Sequence, residues 1–93
     1  MARLSVAVLR RLVRNLDYVV SQHAADEPED DNLTVLDLES TLLNGQIVER
    51  QRDRATRETK CIVRGRTLDG HEAECVVKLG PTGCLFVITV YRD

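Results

Sequence analysis

Arg64 and Arg66 are two residues apart, and Glu72 and Glu74 follow at the same spacing. In an extended chain such pairs share a face, so two guanidinium and two carboxylate groups would stand side by side. A guanidinium fork suits a phosphate. Upstream come Arg50, Arg52, Arg54, Arg57 and Lys60, so residues 49–66 hold seven basic and three acidic side chains. That is a local +4 within a chain of net charge -2. An anionic substrate such as RNA is one reading. The other is that Arg66 with Glu72, and Arg64 with Glu74, are cross-strand salt pairs on a solvated face, with less charge to offer a phosphate. Aromatic rings for base stacking are Tyr18, Phe86 and Tyr91, of which Tyr91 is expected on the charged face.

His23 continues the apolar stripe of the first predicted helix, so its ring could reach the sheet. Histidine is the usual acid or base near neutral pH, but a histidine at a helix C-terminus is also favoured by the dipole alone. His71, beside the turn residue Gly70, reads as solvent-exposed. The run 26–31 places five acids in six positions. It lacks the ligand spacing and glycine of a calcium loop, and reads as a solvated loop. Cys61, Cys75 and Cys84 are 14 and 9 residues apart, without the close pairs of a zinc site. Buried reduced thiols are expected, with no metal and no cofactor.

These groups must be positioned by one domain spanning 1–93, since 93 residues hold one core. Charged residues are 30% and apolar residues 43% of the chain, a globular balance. The pI near 5.7 excludes a surface that is basic all over. No apolar run, Val87 to Val90 included, is long enough to cross a bilayer. Leu4–Leu9 is cut by Arg10 and Arg11 too early for a signal peptide. A cytoplasmic protein that does not engage membrane is the expectation.

Leu9, Leu12, Val13, Leu16 and Val20 recur at helical spacing, predicting a helix over about 4–20. A second helix is predicted over 35–43. Thr34 is its N-cap, Leu33 and Leu38 its hydrophobic staple, and Asn44-Gly45 a left-handed C-cap. Strands follow at about 46–50, 59–67, 72–79 and 84–91. The expected fold is α+β: two helices on one face of a four-stranded antiparallel sheet.

Turn geometry refines the faces. A three-residue loop ending in Gly70 sets Thr67 opposite His71, hence Val63 opposite Cys75 and Cys61 opposite Val77. A four-residue loop, 80–83, sets Leu79 opposite Cys84, so Phe86, Ile88 and Val90 join the core. The open face then carries the rows Arg66–Glu72–Tyr91, Arg64–Glu74–Thr89, Ile62–Val76–Val87 and Lys60–Lys78–Leu85. The uncovered aliphatics Ile62, Val76, Leu85 and Val87 suggest a contact surface, for a homodimer or a protein partner.

Several stretches carry a family resemblance: His23-Ala24, Leu33-Thr34, Asp37-Leu38, Leu42 through Glu49, Cys61 through Gly65, Asp69-Gly70, Cys75 through Lys78, and Ile88 through Tyr91. In this order and spacing they resemble an uncharacterised bacterial family, domain-of-unknown-function 4258. That family is similar to small toxin RNases of toxin–antitoxin systems with the RelE-type, barnase-like fold. The resemblance implies a metal-independent endoribonuclease with an antitoxin partner. Its site would be the open face reached by His23; in this chain His23 and Glu74 are the candidate acid and base, Glu74 beside Arg64. Arg50, Arg64 and Arg66 would contact phosphate, and Tyr91 would orient or stack. The chain departs from the pattern where Glu27 and Asp30-Asp31-Asn32 replace arginine-bearing positions, and where Glu74 stands in place of a histidine; losing these charges makes a poorer nuclease, so a degenerate or inactive relative is also an expectation. The competing expectation is a non-catalytic interaction module that uses the same face.

Overall fold

A computed structural model describes residues 4–21, 35–52, 55, 58–80 and 82–92, with Tyr91 and Arg92 described in backbone only. Helix α1 (Val6–Arg14) begins at Ser5, whose extended backbone and side-chain oxygen, accepting from the Val8 N–H at 3.2 Å, form the N-cap. Leu9, Leu12 and Val13 are buried along one side, and Arg11 and Arg14 fall in the last turn, the favourable end for cations.

The predicted helix to residue 20 is corrected here: it stops at Arg14. Leu16 is left-handed (φ 60); its N–H reaches the Val13 carbonyl at 3.1 Å, and that of Asp17 reaches the Leu12 carbonyl at 2.8 Å. This paired closure usually needs glycine, and Leu16 lies 71% exposed instead of on the apolar stripe. Beyond it, β1 (Tyr18–Val20) takes the strand conformation that aromatic and β-branched residues favour.

Helix α2 (Val35–Asn44) buries Leu38, Thr41 and Leu42. Its expected start signals, Leu33 and Thr34, lie outside the described residues. Strands β2 (Gln46–Arg52), β3 (Thr59–Arg66), β4 (Glu72–Leu79) and β5 (Leu85–Arg92) complete the chain. The sheet has five strands in the order β1-β5-β4-β3-β2 and is mixed. The expected antiparallel set gains β1 at one edge, parallel to β5. Leu9, Leu12, Leu38 and Leu42 pack with Cys61, Val63, Cys75, Val77, Leu85 and Val87 in one core.

The expected left-handed cap at Gly45 is also corrected, because positive φ among glycines is confined to Gly70 and Gly83 in the described residues. Glycine serves close approach instead. A Cβ on Gly45 would lie 2.4 Å from the Thr41 carbonyl oxygen, and one on Gly65 would lie 2.2 Å from that same oxygen. Two bare backbones let α2 press against β3.

The β3–β4 hairpin has the expected register, with Val63 opposite Cys75 and Arg64 opposite Glu74. The β4–β5 hairpin does not. Gly80 N–H donates to Cys84 O at 2.7 Å and Gly83 N–H to Gly80 O at 3.0 Å, repeating the Thr67–His71 and Gly70–Thr67 bonds of the first turn. Cys84 therefore lies opposite Gly80 rather than Leu79, and Leu79 pairs with Leu85. A one-residue shift exchanges the faces, so Leu85 and Val87 are fully buried while Phe86 and Ile88 are only partly so. Past Ile88 an extra residue on β5 restores Val90 to the core: Val77 pairs with Val87 but Val76 with Thr89.

Candidate functional site

Strand alternation puts Arg64 and Glu74 on the face away from the helices. Arg64 Nε donates to Glu74 Oε2 at 2.8 Å, and a second guanidinium nitrogen stands 2.6 Å from the same oxygen. The Glu74 side chain is 11% exposed and that of Arg64 51%. A nearly buried carboxylate must be paired, and here a half-exposed guanidinium pairs it. The register adds two neighbours to the row, Gln46 on β2 and Tyr91 on β5. Tyr91 was expected beside Glu72; the shifted second hairpin brings its backbone opposite Glu74 instead.

Beside this row a shallow groove of about 560 Å³ opens, lined by Asn44, Gln46, Val48, Arg64, Gly65, Arg66 and Glu72. Arg66 and Glu72 are cross-strand neighbours, yet among the described residues no ion pair joins them. The backbone of Arg66 is held in an unusual way. β2 begins at Gln46, opposite Arg64, leaving the edge of β3 past Arg64 without a strand. Asn44 takes the vacant place: its Oδ1 accepts from Arg66 N–H at 2.8 Å and its Nδ2 donates to Arg66 O at 2.9 Å. Ser40 Oγ donates to the same carbonyl at 3.0 Å, and Asp37 Oδ1 accepts from Leu68 N–H at 3.0 Å. Positions 37, 40 and 44 share one side of a helix, so α2 stitches the sheet edge that carries Arg66.

Three expected site residues are placed elsewhere. Arg50 lies opposite Cys61, on the helix-covered side, where it donates to the Leu4 carbonyl at 2.7 Å. A bulge at Val48, between the pairs Ile47–Val63 and Glu49–Ile62, turns it there. Leu85 and Val87, expected to be an outer contact surface, are core residues. Ile62 and Val76 do stand partly exposed on the open face, and Phe86 and Ile88 replace the missing pair. Lys78 lies over the Phe86 ring, 6.0 Å from its centre, and pairs with Glu58 at 2.9 Å. Val19, 48% exposed, is the register neighbour of Phe86. His23, the acidic run 26–31, Arg54 and Arg57 lie outside the described residues.

His71 is exposed and its Nδ1 meets Asp69 at 2.9 Å. The Thr67 hydroxyl and then His71 hold the Asp69 carboxyl down at about 2. Across the layers, Tyr18 donates to Glu39 Oε2 at 2.5 Å; burial first, then that bond, pushes the phenol up to about 12. Cys61 and Cys75 are buried and Cys84 partly so, and none is in a disulfide. Among the described residues no group of three His, Cys, Asp or Glu is placed to hold a metal ion. No described helix is long and apolar enough to cross a membrane.

Sequence reasoning singled out Arg64, Arg66 and Glu74 and read Glu72 only as the salt partner of Arg66; it missed Asn44, Gln46, Val48, Phe86 and Ile88 as surface residues. For the last two the signal was present: glycine at the fourth position of both turns, counting from Thr67 and from Gly80, implies one turn type.

Residues 20–92 match the family described as domain of unknown function (DUF4258), and the chain belongs to it. No curated protein and no solved structure matches the chain.

Proposed function

We propose, with DUF4258 membership as the premise, that this chain is a relative of the toxin-type ribonucleases. In this reading it acts on RNA in the cytoplasm through its open sheet face. One observation carries the reading: a nearly buried glutamate lies on the face away from the helices, paired with a half-exposed arginine. Burying a carboxylate where no core requires it is characteristic of a functional site.

In the proposed reaction Glu74 takes the proton of a ribose 2′-hydroxyl. The freed 2′-oxygen attacks the adjacent phosphorus, and the bond to the 5′-oxygen breaks. Once Glu74 is neutral, Arg64 loses its partner charge and turns to the phosphate oxygens, where negative charge is building. His23 protonates the departing 5′-oxygen. The products are a 2′,3′-cyclic phosphate and a 5′-hydroxyl, and the step needs no metal. Tyr91 orients the sugar or stacks on a base.

Incubation with single-stranded RNA tests this. Glu74→Gln should slow cleavage by about 100-fold or more, with cyclic phosphate ends lost in parallel. His23→Ala and Arg64→Ala should each impair it. Cleavage unaffected by all three substitutions ends the mechanism.

A second reading, a binding module without catalysis, has its own support. Ile62, Val76, Phe86 and Ile88 give the open face a partly exposed apolar band, extended by Val19. A second copy or an antitoxin is the partner in this reading. A sizing column separates the two: a stable dimer dissociated by Phe86→Asp would cover Arg64 and Glu74 and favour the module.

A further inference from the structure

We infer that the groove between the start of β2 and the hairpin end of β3 and β4 is a nucleobase subsite that takes guanine. This rests on the reading that the open face acts on RNA, and names the base presented there. The groove, at about 560 Å³, falls among small-ligand sites, which run to about 300–1,000 Å³. Its polar side chains divide into two kinds. Arg64 is engaged by Glu74, and the Asn44 amide by the backbone of Arg66. Arg66, Glu72 and Gln46 make no side-chain hydrogen bond or ion pair among the described residues. A guanidinium and a carboxylate thus stand opposite one another on neighbouring strands, both lining the groove, with no ion pair between them.

That combination suits a base better than a phosphate. Glu72 repels a phosphate that Arg66 would attract. Guanine offers both groups a partner, because N1–H and the N2 amine donate side by side to a carboxylate while O6 and N7 accept from an arginine. Adenine turns a ring acceptor toward the carboxylate, and cytosine has no N7. Val48, 49% exposed, supplies an apolar wall for the ring. Asn44 is a positioning residue: by clamping the Arg66 backbone it fixes where the guanidinium starts.

Titration of the full chain with guanosine, inosine, adenosine and cytidine 5′-monophosphates, followed by amide shifts, tests the subsite. Guanosine monophosphate should bind roughly five- to tenfold tighter than adenosine monophosphate, the low end for a paired base contact. Inosine monophosphate, which lacks the N2 amine, should fall between them. The shifts should centre on Gln46, Arg66 and Glu72. Glu72→Gln should erase the margin of guanosine over inosine monophosphate, and Arg66→Ala should weaken both. Equal affinity for all four, no binding at millimolar ligand, or a margin unchanged in a folded Glu72→Gln protein overturns the subsite. A guanine preference without any RNA cleavage would keep the subsite and sink the ribonuclease mechanism. Glu74-dependent cleavage without base preference would do the reverse.

Discussion

The two sides of β4 were made by one stretch of chain and do opposite things. Ala73, Cys75 and Val77 are completely buried against the helices and the neighbouring strands. Glu74, Val76 and Lys78 alternate with them and carry a paired carboxylate, a half-covered aliphatic and a cation over a ring. The covered side is uniform in chemistry and the other is mixed. Packing alone accounts for the first, because small and branched side chains fill the space beneath two helices. It does not account for Glu74, which needs a guanidinium to stay buried. The difference separates residues that hold the fold from residues that the fold holds.

That contrast can be broken by mutation. Leu42→Ala, at the completely buried contact of α2 with the sheet, should lower unfolding free energy by about 3 kcal/mol. Val76→Ala on the mixed side should cost about 1 kcal/mol or less. Equal losses in urea melts would erase the distinction between the sides. Gly65→Ala should cost about 1–3 kcal/mol, because the new methyl meets the Thr41 carbonyl at 2.2 Å and the Asn44 side chain at 2.8 Å. Leu16→Gly should raise stability by about 0.5–1 kcal/mol by relieving a left-handed leucine. The smallest effect is a pH slope. The Tyr18 phenol titrates near 12 when folded and near 10 ordinarily, so folding favours its protonated form. Its contribution is complete below pH 10 and is lost as pH rises toward 12. Tyr18→Phe should flatten alkaline melts over that window.

How far the sequence could be read depended on local grammar. Leu68-Asp69-Gly70 specified its turn, and with it the register of Arg64 and Glu74. Gly80 and Gly83 hold the same relation as Thr67 and Gly70, yet counting the second loop as four residues moved Leu85 and Val87 to the wrong side. The extra residue near Ile88 had no such cue, since bulges answer to packing across several strands. The same holds at Val48, where a bulge takes Arg50 away from the other arginines. The first helix was read too long because Leu16 and Val20 fit its period, while Tyr18-Val19-Val20 also fits a strand. Tertiary pairing with β5 decided between them. The groove was illegible for another reason: Asn44 and Gln46 are ordinary polar residues until α2 and β3 meet.

The side-chain stitching along α2 couples two parts of the chain that could otherwise open separately. The amides of Arg66 and Leu68 are bonded to Asn44 and Asp37 rather than to another strand. Their exchange with deuterated solvent should therefore follow the unwinding of the helix, and not the separation of β2 from β3. Two amides in a hairpin thus serve as reporters for a distant stretch of the molecule, and slow exchange at both would mean the helix and the sheet rim open in a single cooperative event.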